Sequence, residues 1–578
     1  MKHAKFRSIT KFIYVILCIG CAHQKLIAFT NQTFYVPRSQ GTQVVRDQVG
    51  WETLINQSAC DDFYGAFAMI PAYSRSFKPQ EFVNFLLGCP VLVVSGSQSP
   101  DRGPQDILAD YFGLAPDYKS LLCFEPKIGN FVLDLNFYFG LDHVVNGLYV
   151  RLNAPITQTT WDLNMLEFIK NQGVASYPAG YMSEVGIPNS SLVTGPVKNS
   201  AATFLRGIET FGDMSEPLAY GKIFQRQIEN RIAELRGVVG YNWTGDAYHA
   251  GLNFRVSAPT GTRPEGEFLF EPIVGNGKHW EVGGGVTAHY DVWSCPEQVS
   301  DIGLYFDANV VHLCNASQKR SFDLINNGFG SRYMLVQEMA NSSNNLFLGL
   351  GGPASTYQYR GFLAPAINYT TLNIRTSFGV QADLALTCAY HRRGLSVDFG
   401  YNFFGRSAEK LQCRELFPSN LYALKGDAQL YGFDAVAPST IVPLAATQSG
   451  ATLQAGQRGG NANFANNNID SPINAADSAR LLKQLTTADA ATFGITQTNV
   501  NTSNPSVLLQ DSDIDTCGAL LPGTFCQGLF FHISHVWRDE EDIWKPFLGV
   551  GGEVEWANGD APSTCSQWEI WLKGGIGF

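Results

Sequence analysis

His289 and Asp291 lie two positions apart, so they share one face of an extended strand and could form a general acid–base pair. A histidine beside a carboxylate is, however, far more often a satisfied ion pair than a catalyst. His532 and His535 are three apart, which puts them on opposite faces of a strand and argues against a shared metal. Gly275-Asn-Gly-Lys-His279 has the glycines of a phosphate-cradling loop, but no helix signal follows it. It reads as a break before Trp280. The chain has no GxSxG elbow, no HExxH and no GxxxxGK[ST]. No catalytic residue, cofactor or metal site is therefore expected.

Composition narrows the elements that could position such residues. The 578 residues are 45% hydrophobic and 12% aromatic, yet only 16% are charged, against about 25% in an ordinary soluble domain. Mean hydropathy is −0.06. That apolar content excludes disorder. No 18-residue apolar run follows residue 22, which excludes a bundle of membrane helices. A net charge of −11 argues against a nucleic-acid partner. Two classes remain, a large extracellular β protein and a β-barrel of a bacterial outer membrane.

The N-terminus reads as an export signal. Lys2, Lys5, Arg7 and Lys11 precede the apolar run Phe12–Gly20, and Ala22 suits a cut site. Residues 1–22 are expected to be the signal peptide and 23–62 a periplasmic N-terminal segment. Ten cysteines follow the signal, an even number in an oxidising compartment. Cys295–Cys314, Cys388–Cys413 and Cys517–Cys526 are the near-sequence candidates for pairing. None of the ten forms a CxxC zinc pattern.

From residue 63 onward the chain alternates apolar and polar residues at period two, the mark of a strand between lipid and a wet lumen. The pattern is clearest at the end, where Trp568, Ile570, Leu572, Ile576 and Phe578 share one face and Glu569 and Lys573 the other. It recurs near residues 131–139, 148–153, 252–257, 280–291, 302–309, 372–384, 395–403 and 544–556, and more weakly over 63–76, 231–243 and 528–537. That makes twelve segments. Short connections (142–146, 244–247, 294–299, 391–394, 538–542) alternate with long ones (about 77–129, 159–230, 261–278, 315–370, 409–526, 558–565), the layout of periplasmic turns and extracellular loops. A soluble β-sandwich also alternates, but its strands average about 5–6 residues, and these run longer with aromatics at their ends. The expected fold is all-β: an antiparallel transmembrane β-barrel of about twelve strands over 63–578, with long extracellular loops containing short helices.

The alternation assigns lumen-facing charges. Arg151, Arg236, Arg255 and Arg375 are basic. Asp134, Glu281, Asp291, Asp307, Asp383, Asp398, Glu553 and Glu555 are acidic. Arg151, Arg236 and Arg255 fall on consecutive strands, so a basic wall is expected to face an acidic one and to set a transverse field. Helical spacing is read at Phe224, Ile228, Ile232 and Leu235, over Gln105–Leu114 and over Ala475–Leu485; Ser449–Asn468 reads as a solvated linker.

The signal, the alternating strands and the last strand ending on Phe578 together resemble a Gram-negative-type outer-membrane β-barrel of porin-like kind. The resemblance implies residence in outer-membrane lipid and a C-terminal strand (Trp568, Ile570, Leu572, Ile576, Phe578) read by the barrel-assembly machinery. With the charged walls, it implies a channel for passive diffusion of small solutes. A surface adhesin or structural barrel with a blocked lumen is the alternative, and a barrel-embedded hydrolase a second.

Overall fold

The computed structural model describes residues 32–56, 64–96, 99–103, 105–174, 200–224, 226–245, 247–341, 357–425, 431–433, 441–443, 452–454, 508–537 and 543–578. The export signal, Ala475–Leu485 and most of Ser449–Asn468 lie outside the described residues.

Twelve strands close into an antiparallel barrel. They are β1 (Tyr64–Ser76), β2 (Lys127–Gly140), β3 (Leu148–Asp162), β4 (Leu235–Gly245), β5 (Tyr248–Ala258), β6 (Glu281–Cys295), β7 (Ser300–Ser321), β8 (Thr371–Arg392), β9 (Leu395–Arg406), β10 (Thr524–Val536), β11 (Lys545–Ala557) and β12 (Gln567–Gly577). Each pairs with the next along the chain, and β12 pairs with β1 to complete the ring. These are the twelve alternating segments of the sequence. Gly65 and Phe578 exchange both backbone hydrogen bonds, which seals the seam.

The two faces differ as the alternation requires. Outward residues such as Leu252, Phe254, Val550 and Ile570 are each more than half exposed, whereas the inward Asp134, Asp398 and Lys573 are fully buried. Apolar outside and charged inside is the reverse of a soluble protein, and hydrocarbon around the barrel supplies the missing burial. Exposed Trp243, Tyr248, Tyr290, Trp293, Trp537 and Trp544 gather at the short-turn end, as an interfacial girdle does.

Strands β7 and β8 have 22 residues each, about twice the length needed to cross hydrocarbon. Their far halves run on into an apolar cap over the long-loop end. Its core includes Phe82, Phe85, Trp161, Phe270, Tyr333 and Phe378. The β7–β8 register slips between Val311 and Leu313, opposite Gln381 and Phe378. One extra residue inverts the faces beyond it. Leu372 and Ile374 therefore enter the cap core, and Arg375, expected in the lumen, is exposed outside it.

Two helical expectations fail. Arg226–Ile232 is a strand on the edge of β3, with Ile228, Ile232 and Leu235 turned outward. A spacing of four repeats on a helix face but is also twice the strand period, so the pattern fits both. Within Gln105–Leu114 the chain makes a two-residue strand, Ile107–Leu108, and a single 3-10 turn, Ala109–Phe112. The left-handed Gly113 ends that turn.

The nine described cysteines are free thiols. Cys295 faces Ser300, while Cys314 follows Leu313, which faces Glu281 at the other end of the same pair of strands. Cys413 faces Arg375, roughly 40 Å along β8 from Cys388 at the rise of a strand. Cys526 is buried while Cys517 is exposed.

A charge on the lipid face tests this arrangement. Val550→Arg should cost about 2–4 kcal/mol in urea unfolding from bilayers, while Arg375→Leu should change stability by less than about 0.5 kcal/mol.

Candidate functional site

Residues 32–56, part of the segment expected to precede the barrel, lie inside it. At the long-loop end Phe34, Tyr35 and Val36 are embedded in the cap core. The chain then descends through the lumen by a short helix, α1 (Val44–Gln48), and leaves toward β1 at the short-turn end, where Trp51 meets Phe547 and Asn56 meets Tyr138. Space for this plug comes from small inward residues on β1: Ala66, Ala68 and Ala72 pack with Val44, Val45, Val49 and Trp51 in one buried cluster.

Part of the lumen charge is spent on this segment. Arg38 donates to Glu555 at 2.8 Å and lies 4.0 Å from Glu553. Arg46 donates to Glu569 at 2.6 Å and lies 3.6 Å from Asp134. On the opposite side Arg236 donates to Asp47 at 2.8 Å and to the Gly41 carbonyl. Lys573 donates to the Arg46 carbonyl at 2.7 Å, with its ammonium 4.1 Å from the Trp51 ring centre. Thr387 donates to Gln48, and Ser39 to Glu234. The plug thus presents arginines to the acidic wall and an aspartate to the basic one.

Asp134, Glu281, Asp307, Asp383, Asp398, Glu553, Glu555, Arg236 and Arg255 are buried inside the barrel. Arg151 is half-buried there, 3.9 Å from Asp307 and over the rings of Tyr138 and Tyr149. Glu281 is held by Asn276, and Asp383 by Asn309. Trp568, Ile570, Leu572, Ile576 and Phe578 are partly or fully exposed and face away from the lumen.

Below the plug, at the short-turn end, lies a cavity of about 260 Å³. Glu52 and Asn56 of the plug line it with Arg151, His249, His289, Asp291, Asp301, Tyr305, Asp307 and His391 of the wall. His289 Nε2 is 3.7 Å from Asp291, and its Nδ1 is 2.5 Å from Nδ1 of His249. His391 Nδ1 is 2.8 Å from Asp301. His532 stands beyond this cavity, its Nδ1 2.9 Å from Asp398. His535, three residues on, is on the other face.

The alternation does not mark Arg38, Arg46, Asp47 and Glu52 of the plug, nor Asp301 and His391 of the wall. The plug has no strand period. Its one legible signal is apolar residues Val44, Val45, Val49, Trp51, Leu54 and Ile55 among charges, unusual for a solvated tail.

No family model and no curated protein matches the chain. Among solved structures, an outer membrane channel from Pseudomonas putida F1 aligns at TM-score 0.29 and 9% identity, covering 89% of this chain and 96% of that one. A FadL homologue from Pseudomonas aeruginosa gives 0.26 and 6%, covering 94% and 99%. A TodX monoaromatic hydrocarbon channel mutant gives 0.29 and 8%, covering 92% and 94%. Likenesses this slight carry neither fold nor activity to this chain.

Removing one partner of a buried pair strands the other. Arg46→Ala should therefore lower stability by about 3–5 kcal/mol in urea unfolding, against less than about 0.5 kcal/mol for the outward Arg75→Ala. Gly50→Ala should release the lower plug to added protease. Gly50 has φ +83°, and a Cβ there would stand 2.4 Å from the His532 ring.

Proposed function

We propose that the chain is an outer-membrane channel held shut by its own N-terminal segment, which must move before polar solutes pass. One observation supports this above all: residues 32–56 fill the lumen and bridge opposite walls through Arg38, Arg46 and Asp47. A freely diffusing porin needs a continuous wet path, and this segment occupies it. A barrel built only for rigidity could fill its lumen with wall side chains. Here the walls carry charges that match a separate strip of chain joined to the barrel at β1. The residual cavity, with carboxylates, histidines and Arg151 on its walls, suits a small polar solute rather than a hydrocarbon.

Export by the N-terminal signal and recognition of the outward face ending at Phe578 by the barrel-assembly machinery belong to the same reading. The folded cap favours a second one, a surface-binding barrel, because the long loops pack around an apolar core at the barrel's mouth.

Planar-bilayer recording of refolded protein separates the two. The channel reading expects infrequent openings from the full chain and sustained, larger steps once residues 32–56 are deleted. A deleted form that folds and stays silent would overturn it.

A further inference from the structure

Glu52, His391 and Asp398 each offer one ligand atom, and the three atoms lie within 4.8 Å of one another in a fully buried spot. They come from three elements: the lower plug, the end of β8 and the start of β9. The histidine is prepared as metal-binding histidines are. Its Nδ1 is held by the Asp301 carboxylate at 2.8 Å, which fixes the ring and leaves Nε2 as the outward nitrogen. That Nε2 is buried and has no hydrogen-bond partner, on a residue only 7% exposed. Asp398 is braced in the same way by Ser396 at 2.7 Å and by His532 at 2.9 Å, and Glu52 accepts from the Gly50 amide at 2.8 Å.

Two carboxylates and a neutral imidazole balance a divalent cation. The imidazole nitrogen disfavours calcium and magnesium, which take oxygen ligands, and favours a first-row transition ion. Ligand atoms about 2.0–2.2 Å from zinc sit roughly 3.3–3.6 Å apart in a tetrahedron, so the cluster need close by only about an ångström. Glu52 and His391 also line the cavity, which gives a water access to the fourth position.

We propose that Glu52, His391 and Asp398 bind one divalent transition-metal ion of the zinc class, which fastens the lower end of the plug to the barrel wall. Asp301 is a positioning residue for His391. Binding stands apart from the channel reading; only its effect on opening rests on that reading.

Full-length protein in detergent, stripped with EDTA, is titrated with zinc chloride alone, and bound metal is measured after gel filtration. One zinc per chain is expected, with a K-edge absorption spectrum showing nitrogen and oxygen ligands. Glu52→Gln and His391→Ala should abolish that zinc, Asp301→Asn should weaken it about 10–100-fold, and His249→Ala should leave it intact. Heat-modified gel migration checks that each variant is folded. The wild-type spectrum needs no variant. Sulfur ligands in it, no zinc on the wild type, or full binding by folded Glu52→Gln would each overturn the site. If zinc binds as expected, EDTA should raise the opening frequency in planar bilayers. Unchanged openings would overturn the fastening role and leave the binding site standing.

Discussion

A charge that faces the inside of a narrow barrel has little water to solvate it and must be met by a charge of the other sign. That constraint organises this molecule. The twelve strands place arginines of β3, β4 and β5 along one stretch of the lumen wall and carboxylates of β11 and β12 along another. Left alone, Glu553, Glu555 and Glu569 on the neighbouring strands β11 and β12 would crowd like charges in a poorly screened space. The strip of chain from Arg38 to Asp47 resolves both walls at once, because its arginines and its aspartate point opposite ways. The transverse field that would set ion preference in an open pore instead seats and orients the plug.

The remaining features follow from seating that strip. Ala66, Ala68 and Ala72 are small where a filled barrel would carry bulk. Gly50 lets the backbone pass against the His532 ring. At the top, Phe34 lies under the Arg320 guanidinium, and Val36 accepts from Arg406, so plug, cap and wall share contacts. At the bottom the charges change character. Glu52 of the plug comes close to Asp398 of β9 and His391 of β8, the group proposed to take a metal ion.

The strands were legible in the sequence because lipid imposes a strict rule: every second residue must be apolar, as in Phe131–Phe139 or Trp568–Phe578. Inward charges followed from the same rule wherever the register was unbroken, as at Asp134 and Glu553. Arg375 escaped it because a slip opposite Leu313 changes the parity, and one residue of pairing leaves no trace in composition. Ile228 and Ile232 were ambiguous because their spacing belongs to both periods. The plug was invisible for a different reason. Its partners are hundreds of residues away, as with Arg46 and Glu569, and its own backbone has no period. Only the surplus of apolar residues around Trp51 marked it as something other than a tail.

The central claim is that movement of the plug opens the lumen. Thr387 on β8 donates a 2.7 Å hydrogen bond to Gln48 on α1, which makes the pair a natural place to tie the two together. With both positions changed to cysteine and joined by a short, reducible bis-methanethiosulfonate linker, single-channel current should vanish and return on adding dithiothreitol, while either single-cysteine protein treated alike should keep its openings. Current of equal size and frequency before and after reduction would contradict the account.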